Sequence, residues 1–289
     1  MKSRSLLMVA LLIVSACRAA SADPVPQELD RLSALLTKIE ADGVPDMLKE
    51  TFAPNRAAIE RARKTTSPQL RLYRLREAYV GVETVAFVAA QKDAAGNLDK
   101  FIALWNARPV SATTTPAAPL LQAALVQTAT NRAEKLYRAS LPYGKADGPL
   151  SGLYYLGEAH ANAAFARLVA SMETNDAEEA PKEKALRNAL AAMETDMLRV
   201  FEKDPAAPAM IGVSVRLKEA RELLDRGSLA GATLLLREAK LAYDRATTKT
   251  AIEVDPVAEL GRVGETSAAI LPAAAAKQVR VTLIRWPYT

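Results

Sequence analysis

Leu29, Leu32, Leu35, Leu36 and Ile39 recur at i, i+3, i+7 and i+10, and comparable apolar rhythms return along most of the chain as far as residue 246. A stripe of that period must bury itself against another element, which commits the chain to helices packed on helices. Composition points the same way. Alanine fills 57 of the 289 positions while aromatic residues make up 5%, and Ala has the highest helix propensity and little to offer a sheet. Twelve Gly and 16 Pro are too few for a collagenous or Gly/Pro-rich disordered chain. The expected fold class is all-α: an array of antiparallel helical hairpins, repeat-like or a bundle, ending in a short extended C-terminal tail.

Local signals divide the array. Gly43 supplies a stop after the first helix, and a second helical stretch over 46–65 is interrupted at Pro54, a residue suited to a first turn rather than an interior. Ser67-Pro68 reads as an N-cap with Pro in the first helical position, opening a helix to about residue 92, and Asn97 caps a shorter one. Residues 109–119, PVSATTTPAAP, lack any periodicity and are expected to separate an N-terminal helical part (23–108) from a C-terminal one (120–250). A helix over 120–140 is followed by a turn rich in Pro and Gly over 141–149. The helix over 150–172 is apolar almost all round, which places it at the centre of the fold. An acidic loop over 173–183 and the run Asp204-Pro205-Ala206-Ala207-Pro208 flank another helix, and Arg226-Gly227 joins two more.

The N-terminus reads as an address. Lys2 and Arg4 precede the apolar run LLMVALLIV over 6–14, and small residues lead to Ala20-Ser21-Ala22. These are the parts of a secretory signal peptide cut after residue 22, and the apolar run is shorter than the roughly 20 residues a membrane span needs. Val14-Ser15-Ala16-Cys17 also resembles the lipobox of bacterial lipoproteins. That resemblance implies cleavage after residue 16, acylation of Cys17 and a chain tethered to a membrane surface. Both cleavages are expected to give an exported protein, periplasmic or lipid-anchored. The formal charge of +5 is then mostly the address: removing 1–22 leaves 35 basic against 33 acidic residues.

Ala220, Leu223, Gly227, Ala232, Leu236 and Ala239 follow a pattern of small and large residues around a glycine turn. Over about residues 213–246 this resembles a tetratricopeptide repeat, whose unit is about 34 residues long. The resemblance implies stacked hairpins with a concave face for a protein or peptide partner. In 251–289, Val279, Val281 and Leu283 alternate with Arg280 and Thr282, a strand-like period. This tail is expected to pack on its own bundle or to be donated to a partner with Trp286 and Tyr288 as anchors.

Little equipment for chemistry is present. One Cys and one His exclude a disulfide framework and a Cys/His zinc site, and no cofactor or metal is expected. His160 lies on the central helix without an E-x-x-H or H-E-x-x-H partner. No Glu-Ser dipeptide occurs, unlike lytic transglycosylases, and Gly261-Arg262-Val263-Gly264 is no phosphate loop. No catalytic residues are assigned and no enzyme activity is expected, a cryptic enzyme being the third-ranked reading.

Arg76 and Glu83 sit beside the apolar face of the helix that follows Ser67, about 10 Å apart along it, so each is expected to meet a charge on another helix. Seven basic residues over 56–76, Arg61, Lys64, Arg71 and Arg74 among them, stand against Glu60 alone. They form either a solvated surface whose acids lie elsewhere or a patch for an anionic partner such as lipid headgroups. Nucleic acid is not expected as a partner. The function expected is an exported interaction or scaffold module. Its alternative is a bundle binding a small ligand near Tyr155, Glu158 and His160.

Overall fold

The computed structural model describes residues 24–44, 46–111, 113, 118–172, 179–203, 209–248, 255–257 and 260–263. The signal peptide, Cys17, most of the acidic loop, Trp286, Tyr288 and the strand-like tail lie outside the described residues. Among the described residues the fold is all-α, with no strand.

The helices are α1 (Pro24–Asp42), α2 (Asp46–Arg63), α3 (Pro68–Ala90), α4 (Lys92–Ala95) and α5 (Leu98–Ala107). They continue as α6 (Leu120–Ala146), α7 (Pro149–Ala170), α8 (Glu183–Lys203), α9 (Ala209–Asp225) and α10 (Leu229–Thr248), followed by a 3-10 turn at Leu260–Arg262. Local chemistry sets several of the boundaries. Ser67 Oγ accepts from the Leu70 amide at 3.3 Å with Pro68 behind it, and Asn97 Oδ1 accepts from the Lys100 amide at 2.9 Å. Both side chains satisfy amide donors that a helix start leaves open. At the end of α9, Gly227 takes φ +71°, while its amide and that of Ser228 donate to the Leu224 and Leu223 carbonyls. The paired bonds close the helix through a left-handed glycine.

Two prolines expected to interrupt helices do not. Pro54 lies inside α2 and Pro142 inside α6, which therefore runs through the turn assigned to 141–149 as far as Ala146. Both prolines are on the water-facing side, where the carbonyl four residues earlier needs no protein partner. The opposite faces carry unbroken stripes, Leu48, Phe52, Ile59 and Ala62 on α2 and Leu136, Ser140 and Gly144 on α6. Burial of a continuous face outweighs one missing hydrogen bond.

The segment over 109–119 is non-helical where described, but it does not divide two cores. A single apolar cluster joins Leu32 of α1, Ile59 of α2, Val82 of α3, Phe101 of α5, Leu125 of α6 and Phe165 of α7. The division falls later, after α7, where Leu186, Val213, Leu217, Ala220, Leu223, Ala232, Leu236 and Ala239 build a second cluster within α8–α10. Lack of periodicity marks a connection between helices; it does not reveal that the helices on either side share a core. The α7 helix is central to the first cluster, packing on α3, α4, α5 and α6. Its entry is tight: a Cβ on Gly152 would lie 2.6 Å from Gly144 Cα and 2.6 Å from the Phe101 ring. The α10 helix links the clusters through Ala230 and Leu234, and Val257 and Leu260 bring the chain back to the first.

Candidate functional site

Where the two clusters meet, α3, α6, α7, α9 and α10 leave a half-open cleft of about 380 Å³. Its position follows from how α9 and α10 are seated on α6. The Gly231 amide donates to Gln127 Oε1 at 2.7 Å, and a Cβ at Gly231 would come within 3.0 Å of Gln127 Cβ and of Leu223 Cδ1. Lys135 of α6 pairs with Glu222 and, at 3.6 Å, with Glu219, both on α9. Arg226 reaches Glu134 at 3.2 Å. These contacts fix one end of the hairpin, and the cleft opens beside them.

On one side of the cleft Glu238 of α10 accepts from Tyr73 Oη at 2.9 Å and from Arg76 Nη2 at 2.8 Å, with Arg216 Nε at 3.6 Å. Burial raises the carboxyl, but the charge of Arg76 and the two hydrogen bonds outweigh it and hold Glu238 below its ordinary value. Burial pushes the Tyr73 hydroxyl up. Arg76 also lies 5.0 Å over the Tyr73 ring. On the other side Asn162 Nδ2 donates to the Glu158 carbonyl at 2.8 Å, and Arg132 is paired with the Glu158 carboxylate at 3.0 Å. Asn131 is 4% exposed and lines the cleft, and its buried Oδ1 accepts no hydrogen bond from the described residues.

Arg76 and Glu83 each meet a charge from another helix, as expected: Arg76 meets Glu238, and Glu83 accepts from Arg31 of α1 at 2.5 Å. The basic run meets acids from elsewhere. Arg61 pairs with Glu77 at 2.7 Å, Arg63 with Asp30 at 2.7 Å, and Arg56 with Glu40. Arg71 Nε donates to the Thr65 carbonyl at 2.9 Å, and Arg74 Nη1 to Thr65 Oγ1 at 2.8 Å. Both thereby tie the start of α3 to the end of α2. Lys64 is exposed beside them. Much of the patch is thus engaged in holding helices together.

Tyr155, Glu158 and His160 do not line this cleft. Tyr155 stacks on Tyr143 with centroids 4.5 Å apart, Glu158 faces Arg132, and His160 stacks on Phe87 at 5.1 Å. Tyr155 and Glu158, three apart, share a side of the helix but are taken up by Tyr143 and Arg132, while His160, two residues from Glu158, looks in a nearly opposite direction toward Phe87. Burial lowers the His160 pKa, and its Nε2 is buried without a hydrogen-bond partner among the described residues. No group of three His, Cys, Asp or Glu side chains able to hold a metal occurs among the described residues, and no described helix is long and apolar enough to cross a membrane.

Sequence reasoning missed Asn131. The available signal was a carboxamide on the stripe Ala124, Thr128, Asn131, whose members are all buried. No protein-family model matches the chain, nor does any curated protein or solved structure.

Proposed function

We propose that this chain is an exported helical interaction module that takes a protein or peptide partner on the outer side of the α9–α10 hairpin and the adjoining cleft. The observation that carries the reading is a pair of aliphatic side chains. Ile211 and Val215, one turn apart on α9, are 61% and 50% exposed, and Val215 lines the cleft. The same helix buries Val213, Leu217, Ala220, Leu223 and Leu224 on its other side. Apolar residues on both sides of a surface helix suit a helix with a second face to cover. Burial of the small and large residues quoted for the repeat-like segment supports a hairpin of that general kind.

Photo-crosslinking residues placed at 211 or 215, one at a time, in producing cells test this. Both positions should give the same discrete adducts, the Ile211→Ser/Val215→Ser double variant should bind the captured partner more weakly, and a crosslinker at exposed Lys64 should give none. Identical adducts from position 64, or no adduct from 211 and 215, would sink the proposal. Export is tested by cell fractionation and intact mass. A start at Asp23 or an acylated Cys17 is the expected outcome, and a chain retaining residues 1–16 argues against it.

A further inference from the structure

We infer that the cleft at the junction of the two clusters binds a free α-amino acid with an aliphatic side chain. The inference goes beyond the interaction reading and does not rest on it. Charge is the first argument. Arg76, Arg132 and Arg216 line the cleft against Glu77, Glu219 and Glu238. A ligand of one sign would upset that balance in a partly desolvated place, and a zwitterion would not.

The second argument is which of these groups have bonding capacity left. Arg132 gives Nε and Nη2 to Glu158, and Glu77 is drawn to Arg61. Glu238 serves two guanidiniums at once. Arg76 gives it Nη2, while Arg216 holds Nε 3.6 Å from it and sends Nη1 to the Gly212 carbonyl at 2.8 Å. Arg76 Nη1 and Arg216 Nη2 therefore have no acceptor among the described residues. Glu219 is the opposite case. It accepts no hydrogen bond among the described residues, and its nearest cation, Lys135 at 3.6 Å, lies closer to Glu222. Unlike the buried Asn131 Oδ1, these groups are within reach of a ligand. The side chains of Arg76, Arg216 and Glu219 keep 26%, 39% and 19% of their surface. Burial lowers the Arg76 pKa, and Glu238 foremost, with Glu219 among the other charges, raises it above its ordinary value. Glu219 is thus within electrostatic reach of Arg76 without forming an ion pair with it. Open donors and an open acceptor line one cleft and do not satisfy each other. A carboxylate and an ammonium on one carbon join them through charge-assisted hydrogen bonds.

The third argument is the wall. Val80, Ala129, Val215 and Leu235 supply aliphatic surface, and no aromatic ring is among the described residues lining the cleft. That favours an aliphatic side chain over an aromatic one, which ring faces would hold by stacking. The volume of about 380 Å³ sits at the small end of ligand sites, which begin at roughly 300 Å³. Leucine or valine meets all three conditions. The α-carboxylate lies on the open N–H groups of Arg76 and Arg216, the α-ammonium on Glu219, and the side chain on the aliphatic wall.

The test uses the full chain, with the Val80, Val215 and Leu235 methyls resolved by NMR and affinities taken from calorimetry. Four probes are titrated: L-leucine; 4-methylpentanoate, which lacks the ammonium; isoamylamine, which lacks the carboxylate; and L-serine, which lacks the aliphatic side chain. Leucine should shift the three methyl sets saturably. Each of the others should bind at least about tenfold more weakly, the size of one lost charge-assisted hydrogen bond or one aliphatic side chain left in water. Glu219→Gln keeps the shape of the wall and should weaken leucine about tenfold while leaving 4-methylpentanoate no weaker. Arg216→Gln should weaken both. Melting curves establish that each variant is folded, and the four-probe series on the wild type decides where one is not. No saturable shift at millimolar leucine, any other probe binding as tightly as leucine, or leucine binding unaffected by Glu219→Gln would overturn the inference. Crosslinks at 211 and 215 read the partner proposal separately. Adducts that persist without leucine binding refute the amino-acid site and leave the interaction reading standing.

Discussion

The α6–α7 pair and the α9–α10 hairpin both use small residues to bring two helices together, but the smallness is imposed differently. In α6–α7, helices of 27 and 22 residues cross so closely that Gly152 faces the backbone of Gly144, with the Phe101 ring filling what remains. In α9–α10, helices of 17 and 20 residues, the demanding glycine is Gly227. It sits in open space, and nothing lies within 4 Å of a Cβ placed there. In one pair the glycine is required by steric fit, in the other by the conformation of the turn. The first pair therefore behaves as a scaffold, while the second is a wall of the cleft whose outer side remains uncovered at Ile211 and Val215.

The steepest way to break this contrast is at Phe101. Phe101→Ala should destabilise the protein by about 3–5 kcal/mol, the usual cost of emptying a fully buried aromatic site. The three atoms nearest a Cβ at Gly144 all belong to the Phe101 ring, so adding Phe101→Leu should relieve Gly144→Ala. Gly152→Ala also meets backbone and should not be relieved. Urea midpoints of the two double variants decide, and equal relief of both would remove backbone contact as the limiting feature.

The joint between the regions comes next. Glu238→Gln leaves Arg76 and Arg216 without their shared carboxylate and should cost about 2–3 kcal/mol. Because the folded protein holds Glu238 below its ordinary value, the carboxylate's contribution is fully present above the ordinary carboxylate range. It is lost as pH falls through the folded value. The gap in stability between wild type and Glu238→Gln should therefore narrow on acidification below about pH 4. Thermal melts from neutral to acidic pH measure it, and a constant gap would argue against the charge-based account.

Gly227→Ala forces a Cβ into a left-handed conformation and should cost about 1 kcal/mol. Hydrogen exchange should accelerate in α8–α10 and leave the α1–α7 amides nearly unchanged. Equal acceleration in both would show that the two clusters open as one. Smallest of all is Arg61→Ala, which removes an exposed pair with Glu77 and should shift stability by no more than about 0.5 kcal/mol.

Features settled within one turn of the chain were legible beforehand. Ser67, Pro68, Asn97 and Gly227 act through their own backbone neighbourhood, so residue type and order suffice to place them. Arg76 and Glu83 announced their need for distant partners by standing beside an apolar face, although nothing local could name Glu238 or Arg31. The prolines at 54 and 142 were misread because local cost is visible in sequence and the burial that offsets it is not. The boundary at 109–119 failed for the same reason. The cleft was hidden more deeply. Its walls come from five helices, and none of Tyr155, Glu158 and His160 is among the residues that line it.

Val257 and Leu260 have a consequence for how the protein is made. The chain leaves the first cluster after Met172, touches it again through Ala230 and Leu234 while building the α8–α10 layer, and then returns two more buried side chains to the body it left. The layer is thus topologically an insertion. While the polypeptide emerges from the ribosome in order, the larger core stays open until residue 260 is available. Truncation after α10 would strand apolar surface on the older part of the fold, because Val257 and Leu260 are supplied to it from beyond that helix.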